Sequence, residues 1–515
     1  MMSTRNLYLA ATVSCLTAGL FGYSVGFIGG CIVLPSFLSA FNLDDLPVRE
    51  LASARSYCVS AWILGCLIGV PAAMPICSRL GRKACLRLTA VLYVGGAAMQ
   101  VWSRGSLGVF GVGRLVNGMG VGAGTLVSPL YIAEISPASE RNMLMSAYQV
   151  LVQLGALVGF WIAFVARVSL SDSSALQWQL PVSLQLGAGL LLLLGTLTVP
   201  ESPQYLVSKG EHDPSLASLA WLRRKSRSDP TLIEESLALT SSLSHRAKIP
   251  QVSFWAELRK HDIRYRLTVG IGIMIAQNMV GLNALNYFAP IILQTAGFTS
   301  ASSSLFLTGV FGLVKLASAL TYMFLCVRVR GNRFWLLLGS AICAVSMFTL
   351  ACCISTTSTS PSSPSSVTAT GVLSVLSVYT FAFSFGISLG PISWNICAEI
   401  FPLHLNAICC AITVCTQWLF QLVVAAITPP LIARVGWVTY LVYGGFCVVT
   451  LAWVAGCVPE TRGVAVGREM DEVFGADGKD PAAGEGDEEV MQVGFDEGTG
   501  LLGAERERRL SYASI

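Results

Sequence analysis

Glu134-Ile-Ser-Pro137 closes a long apolar run over 107–130, and Glu399-Ile-Phe-Pro402 closes another over 369–395. The two tetrapeptides stand 399 − 134 = 265 residues apart. Two further pairs repeat at nearly that offset. Arg79-Leu-Gly-Arg-Lys83 returns as Val329-Arg-Gly-Asn-Arg333, 329 − 79 = 250 residues on, and Pro200-Glu-Ser-Pro203 returns as Pro459-Glu-Thr-Arg462, 459 − 200 = 259 on. Each match alone is weak. Three in the same order at nearly one offset point to a duplicated unit.

The unit is helical and apolar. Of the 515 residues 54% are hydrophobic and 12% charged, where a soluble domain has about 25% charged residues. A membrane-spanning helix needs roughly 20 mainly apolar residues. Runs of that kind lie at 7–30, 56–77, 85–103, 107–130, 143–166, 181–199, 265–293, 303–327, 334–356, 369–395, 406–432 and 435–458. The first is too long for the core of a signal peptide and reads as a span. The expected fold is therefore an all-α membrane protein of twelve transmembrane helices in two six-helix halves. Its domains are residues 1–199, a cytoplasmic central loop over 200–263 with short helices near Leu216–Arg224 and Thr231–Leu243, a second half over 264–458, and a tail over 459–515. Parallel repeats of this kind build carriers whose site lies between the halves near the midplane.

Basic residues fix an expected orientation. Arg5, Arg79, Arg82, Lys83, Arg87, Arg141, the many Lys and Arg of the central loop, Arg328, Arg330, Arg333 and those beyond Pro459 fall on one side. Only Arg49, Arg55, Arg104, Arg167 and Arg434 fall on the other. Both termini are expected in the cytoplasm, at the plasma membrane or, alternatively, a vacuolar or endosomal membrane. The Ser/Thr/Pro-rich loop over 355–370 reads as disordered or O-glycosylated. The net charge of +4 is too small to suggest a nucleic-acid partner. The sixteen Cys show no metal spacing and read as small packing residues. No nucleophile–base constellation stands out, so neither an enzyme nor a metal or cofactor is expected. The expected partners are a small solute and the lipid bilayer.

Gly113-Arg-Leu-Val-Asn-Gly-Met-Gly-Val-Gly122, Pro129-Leu-Tyr-Ile-Ala-Glu134, Pro200-Glu-Ser-Pro-Gln-Tyr-Leu206, Gly281-Leu-Asn-Ala284, Gly390-Pro-Ile-Ser-Trp394, Glu399-Ile-Phe-Pro402 and Pro459-Glu-Thr-Arg-Gly463 follow one another in this order. In this the chain resembles the sugar-porter family of the major facilitator superfamily, up to about Gly475. Phe27-Ile-Gly-Gly30, Leu34-Pro-Ser-Phe37, Gln277-Asn278, Thr308-Gly-Val-Phe-Gly-Leu-Val-Lys315 and Gly467-Arg-Glu-Met-Asp471 are similar to fungal quinate and sugar-acid carriers.

A polyhydroxy solute at mid-membrane needs donors and acceptors to replace its water, and aromatic faces for its C–H surface. The runs contain such groups: Gln149, Gln277, Asn278, Asn283, Trp394, Gln417 and Trp418. The resemblance implies that Gln149, Gln277, Asn278, Asn283, Trp394 and Trp418 line the solute cavity. Taken by themselves they could equally bond or pack against neighbouring helices. Gln277 and Asn278 point about 100° apart on a helix, and unwinding is expected at Gly281. Lys315, alone and ionisable in its span, reads either as a partner for a solute carboxylate or as a residue pairing within the bundle. The resemblance further implies that Arg79, Arg82, Lys83, Glu134, Arg141 and Glu399 pair across the halves and latch the outward-facing state. Positive-inside topology is the alternative for Arg79 and Arg82.

The chain departs from the family pattern in several places. The first span of the family usually reads Phe-Gly-Tyr-Asp, whose Asp takes the coupling proton in symporters. Here it reads Phe21-Gly-Tyr-Ser24, and a serine does not exchange a proton near neutral pH. Arg114, the usual partner of that Asp, remains and should find another acceptor, because an unpaired Arg in the membrane is costly. The latch pattern is also altered at Ser78, Gln204, Arg328 and Asn406. The expected function is alternating-access transport of a sugar, polyol or sugar acid such as quinate, without Asp-based proton coupling. The alternative is a non-transporting nutrient receptor on the same fold. The acidic, Gly-rich tail from Ala476 reads as disordered. Its Glu497-Gly-Thr-Gly-Leu-Leu502 and Tyr512-Ala-Ser-Ile515 resemble sorting signals for adaptors, and its Arg506-Glu-Arg-Arg-Leu-Ser511 resembles a kinase site.

Overall fold

The computed structural model describes residues 5–248, 254–295, 298, 300–326, 329–359, 369–402, 405–461 and 474. The expectations placed on the 360–368 stretch, on Arg328, on Gly467–Asp471 and on the tail beyond Phe474 lie outside the described residues, as does the side chain of Asn406.

Twelve helices are long and apolar enough to cross a membrane: Arg5–Cys31, Val48–Leu80, Arg82–Val101, Leu107–Ile135, Met143–Ser169, Leu176–Thr198, His261–Thr295, Ala301–Cys326, Asn332–Thr356, Ala369–Glu399, Ile408–Val435 and Val438–Cys457. All twelve apolar runs of the sequence fall on them in order. The described residues contain no strand. The protein is an all-helical, multi-pass membrane protein of two six-helix halves. Between spans six and seven lie the helices Pro203–Ser208, His212–Arg223, Pro230–Lys248 and Phe254–Glu257. Asn6 Nδ2 donates to the Trp221 carbonyl at 2.8 Å, so the N-terminus and the central loop share one face. Tyr265 donates to the Cys457 carbonyl at 2.9 Å, which sets the start of span seven beside the end of span twelve on that face.

Small residues let the helices approach closely. A Cβ at Gly22 would stand 1.9 Å from the Val152 carbonyl oxygen, and one at Gly26 would stand 2.2 Å from that of Ala156. Spans one and five therefore touch backbone to backbone. Spans two and four do the same: Gly118 lies against Trp62, and Gly122 against Cys66. In lipid, where neighbouring tails are as apolar as leucine, this contact of small residues drives helix association.

Two spans are broken. Span seven divides between Met279 and Leu282 at Gly281, whose φ of +97° is left-handed backbone that a side chain would strain. The unwinding expected there is present. Span ten divides at Ser388, with φ −130° and ψ −98°, a break the sequence did not announce. Non-helical backbone at membrane depth is tolerated where it is buried in protein or lines a cavity.

The halves meet in the middle of the bundle and towards the face opposite the termini. Ser56 donates to the carbonyls of Ala425 and Ala426, each at 3.2 Å. Gly29 packs against the Tyr287 backbone and Gly30 against Leu305. Phe21, Trp62 and Trp418 form one aromatic cluster, with centroids 5.4 Å apart for Phe21–Trp418 and 5.8 Å for Trp62–Trp418. These contacts join the halves. None of the ion pairs among the described residues joins the two halves.

Candidate functional site

The breaks in spans seven and ten bring their polar groups together. Gln277 is buried, and its Nε2 donates to the carbonyls of Leu389 at 3.0 Å and Gly390 at 2.9 Å, just past the break at Ser388. Its Oε1 is buried with no partner. That orphan acceptor is the kind of atom a native protein keeps for a ligand or water.

Beside it runs a relay of amides. Asn283 Nδ2 donates to Asn278 Oδ1 at 2.6 Å, and Asn278 Nδ2 donates to Gln417 Oε1 at 2.5 Å and to the Met274 carbonyl at 2.8 Å. Gln417 Nε2 passes on to Gln421 Oε1 at 3.4 Å, and Gln421 Nε2 to the Tyr287 hydroxyl at 2.5 Å. The relay holds spans seven and eleven together and fixes which face each amide shows. Asn278 and Asn283 are joined in the relay, while Gln277 turns to span ten. Gln421 and Tyr287 were not foreseen. Gln421 lies one helical turn beyond Gln417, and that i,i+4 spacing was the signal available.

Gln149, in span five, and Trp394, in span ten, are half-buried, and no hydrogen bond to either side chain is seen. Trp418 is buried, and its Nε1 has no acceptor. Its ring packs in the aromatic cluster with Phe21 and Trp62. Asn395 donates to the Tyr322 hydroxyl at 2.8 Å.

Lys315 is buried in span eight. Its Nζ donates to Asn286 Oδ1 at 2.8 Å and stands 5.7 Å from the Phe311 ring centroid. A neutral amide of span seven thus holds it in place.

In the coupling region, Ser24 Oγ is 3.1 Å from the Tyr93 hydroxyl. Arg114 is fully buried, and its Nε donates to the Cys58 carbonyl at 3.1 Å. Its guanidinium carbon lies 5.2 Å from the Trp62 ring and 5.6 Å from the Phe27 ring. The acceptor expected in place of the missing Asp is thus a single carbonyl.

On the face of the termini, Glu134 accepts from Arg82 Nε at 2.8 and 3.1 Å and from its terminal nitrogen at 2.5 Å. The Arg82 guanidinium also covers the Tyr205 ring at 5.0 Å. Glu201 accepts from the backbone N–H groups of Arg82 at 2.9 Å and Lys83 at 3.1 Å, and burial pushes its carboxyl above the usual range. All of these belong to the first half or the start of the central loop. Arg141 donates to the Ser136 carbonyl at 3.5 Å. Arg79 is exposed, and its carbonyl accepts from Tyr205. Glu399 is half-buried at the end of span ten. Among the described residues no ion pair joins Arg79, Arg82, Glu134 or Arg141 to Glu399, so the expected cross-half latch is not seen. Among the described residues no three His, Cys, Asp or Glu side chains group as a metal site.

A family profile described as "Sugar (and other) transporter" matches residues 10–474. The "Probable quinate permease" of Aspergillus flavus is 30% identical over 475 residues, covering 91% of this chain and 88% of that protein. The protein of the same name from Aspergillus niger is 30% identical over 474 residues, with the same coverage. Among solved structures, the partially occluded inward open conformation of the xylose transporter XylE from E. coli superposes with a TM-score of 0.74. It is 25% identical and covers 89% of this chain and 99% of that one. The proton:xylose symporter XylE bound to 6-bromo-6-deoxy-D-glucose superposes with a TM-score of 0.73, also at 25% identity, over 91% and 99%.

Proposed function

The chain belongs to the sugar-transporter family, and from that premise we propose that it carries a small polyhydroxy solute by alternating access, with sugar acids such as quinate as its leading class. The observation that carries this reading is the buried, unpartnered Oε1 of Gln277 at the meeting of two broken spans. A solute hydroxyl would donate to it, and Asn283, Gln149 and Trp394 would complete the contact. The relatives that the fungal match names are permeases for a carboxylated polyol, which favours an acid over a plain hexose. The receptor alternative finds no support among these transporters.

The relay gives the cycle a physical basis. Asn278 and Gln417 satisfy one another without solute, so the empty site is not left with a set of bare amides. Gln277 Oε1 is buried without a donor and Trp418 Nε1 without an acceptor. A solute hydroxyl there would exchange a bond to water for one to Gln277 Oε1, and it would draw the two halves onto one solute. Its differential contact with the two states is what shifts their populations. The face on which Ser56 meets Ala425 and Ala426 would be the outer one, because the basic loops lie on the opposite side.

Ser24 removes the titrating group that proton coupling would use. Uptake of labelled quinate into proteoliposomes should therefore run down its gradient and be insensitive to a protonophore. No quinate or polyol uptake would sink the carrier reading. Strong protonophore inhibition with normal protein levels would mean another group carries a proton.

Lys315 is tied to Asn286 and acts within the bundle. Lys315→Gln should lower uptake of quinate and of a neutral polyol such as myo-inositol by the same factor. A loss confined to quinate would restore Lys315 as the carboxylate's partner.

A further inference from the structure

Arg114 presents a chemical deficit that the transport site does not explain. The residue is completely buried, and both of its terminal nitrogens lack any acceptor. A guanidinium is always charged in proteins. A charge buried without a counter-ion is among the most costly arrangements a protein can hold. The neighbours that its charge feels are Tyr287, Cys58, Cys66 and Tyr93, and none of them is a carboxylate. The Trp62 and Phe27 rings border the guanidinium and give it only their π-faces.

The remaining polar groups nearby are committed elsewhere. Asn117 accepts from Trp62 Nε1 at 3.0 Å and donates to the Tyr93 carbonyl at 2.9 Å. The Tyr93 hydroxyl is engaged by Ser24. Tyr287, from the other half, accepts from Gln421 and so has its own proton free to give. Two guanidinium nitrogens and one phenol thus lie in the same buried region with donors to offer and no acceptor among them. A site made of donors alone, with a net positive charge and aromatic walls, fits an anion.

We propose that Arg114, with Tyr287 across the halves, forms a buried anion site beside the solute cavity. It binds either the carboxylate of the transported solute or a small inorganic anion such as chloride. The relay from Asn283 through Asn278, Gln417 and Gln421 ends on Tyr287, so an anion there is wired to the amides of the solute site. An anion bridging Arg114 and Tyr287 also bridges the two halves. Ser24 Oγ lies 3.1 Å from the hydroxyl of Tyr93, itself a neighbour of Arg114, so a carboxylate at position 24 would stand in the same buried region. The solute arm of the proposal rests on the carrier reading, while the site itself does not.

The test reads binding rather than transport. Thermal unfolding of the purified full-length protein in detergent is followed in a chloride-free buffer against added quinate, myo-inositol or chloride. Ser24→Asp and Arg114→Gln are compared with the native protein. If the anion is the solute carboxylate, quinate stabilises the native protein at concentrations at least tenfold lower than it needs with either variant. Myo-inositol then serves all three proteins equally, and chloride does nothing. If the anion is inorganic, chloride stabilises the native protein and neither variant. Ser24→Asp keeps the test sound should Arg114→Gln not fold, since it supplies the counter-ion internally. The proposal is overturned if neither anion stabilises the native protein, or if Ser24→Asp responds to them as the native protein does. Anion stabilisation without any uptake in vesicles would uphold the site and overturn the carrier reading alone.

Discussion

Gln277→Ala is expected to raise the apparent KM for uptake by about ten- to thirtyfold, with normal protein levels in the membrane. Two losses add. The solute loses its acceptor, a hydrogen bond worth about 0.5–1.5 kcal/mol net. The carbonyls of Leu389 and Gly390 lose the amide that holds the two parts of span ten in register with span seven. Leu389 keeps the Ser393 hydroxyl as a side-chain donor at 2.7 Å. Each 1.4 kcal/mol is a factor of ten in affinity, which sets the expected range. Gln277→Glu separates the two losses. It keeps the acceptor but sets a carboxylate against two carbonyl oxygens, so protein yield should fall before affinity does. Unchanged KM in Gln277→Ala, measured by initial-rate uptake, would mean that the solute sits elsewhere.

Much of this site was legible because amides inside apolar runs are conspicuous. Gln277, Asn278 and Asn283 stand out against lipid-compatible neighbours, and Gly281 announced the break in span seven. Ser388 announced nothing. Its backbone is set by what surrounds it, since a glutamine more than a hundred residues away in sequence holds the Leu389 and Gly390 carbonyls just past the break. Tyr287 and Asn286 hid for a different reason. Within an apolar run a tyrosine reads as packing and an asparagine as one more amide, and only the fold shows that one ends the relay and the other holds Lys315. Arg114 was visible as an anomaly, but its surroundings were not, because Phe27, Trp62 and Cys58 come from two other spans. Phe474 shows the limit from the other side. Composition marks its neighbourhood as polar tail, yet its ring is buried against Tyr265 at 5.4 Å and lies beneath the Arg266 guanidinium at 5.0 Å.

Glu134→Gln should destabilise the first half by about 3 kcal/mol, the typical cost of removing one partner of a buried pair. Arg82 and Glu134 are only 16% and 6% exposed at their side chains, and three contacts join them. The amide that replaces the carboxylate still offers an oxygen, but it leaves the Arg82 charge without a counter-ion in a site shielded by Tyr205. Glu201 does not replace it, because its oxygens already serve the backbone N–H groups of Arg82, Lys83 and Ser202. The variant should unfold at a lower temperature in detergent, and the double variant Arg82→Met, Glu134→Leu should recover most of the difference, since an apolar pair of similar volume avoids burying either charge. Transport separates structure from gating. If the pair only supports the first half, the double variant should regain uptake along with stability. If Arg82 and Glu134 also meet Glu399 and the second half when this face closes, stability should return while uptake stays low, because the closed state has lost its charges. A single variant as stable as the native protein would show that water already screens the pair, and that the cost assigned to it is wrong.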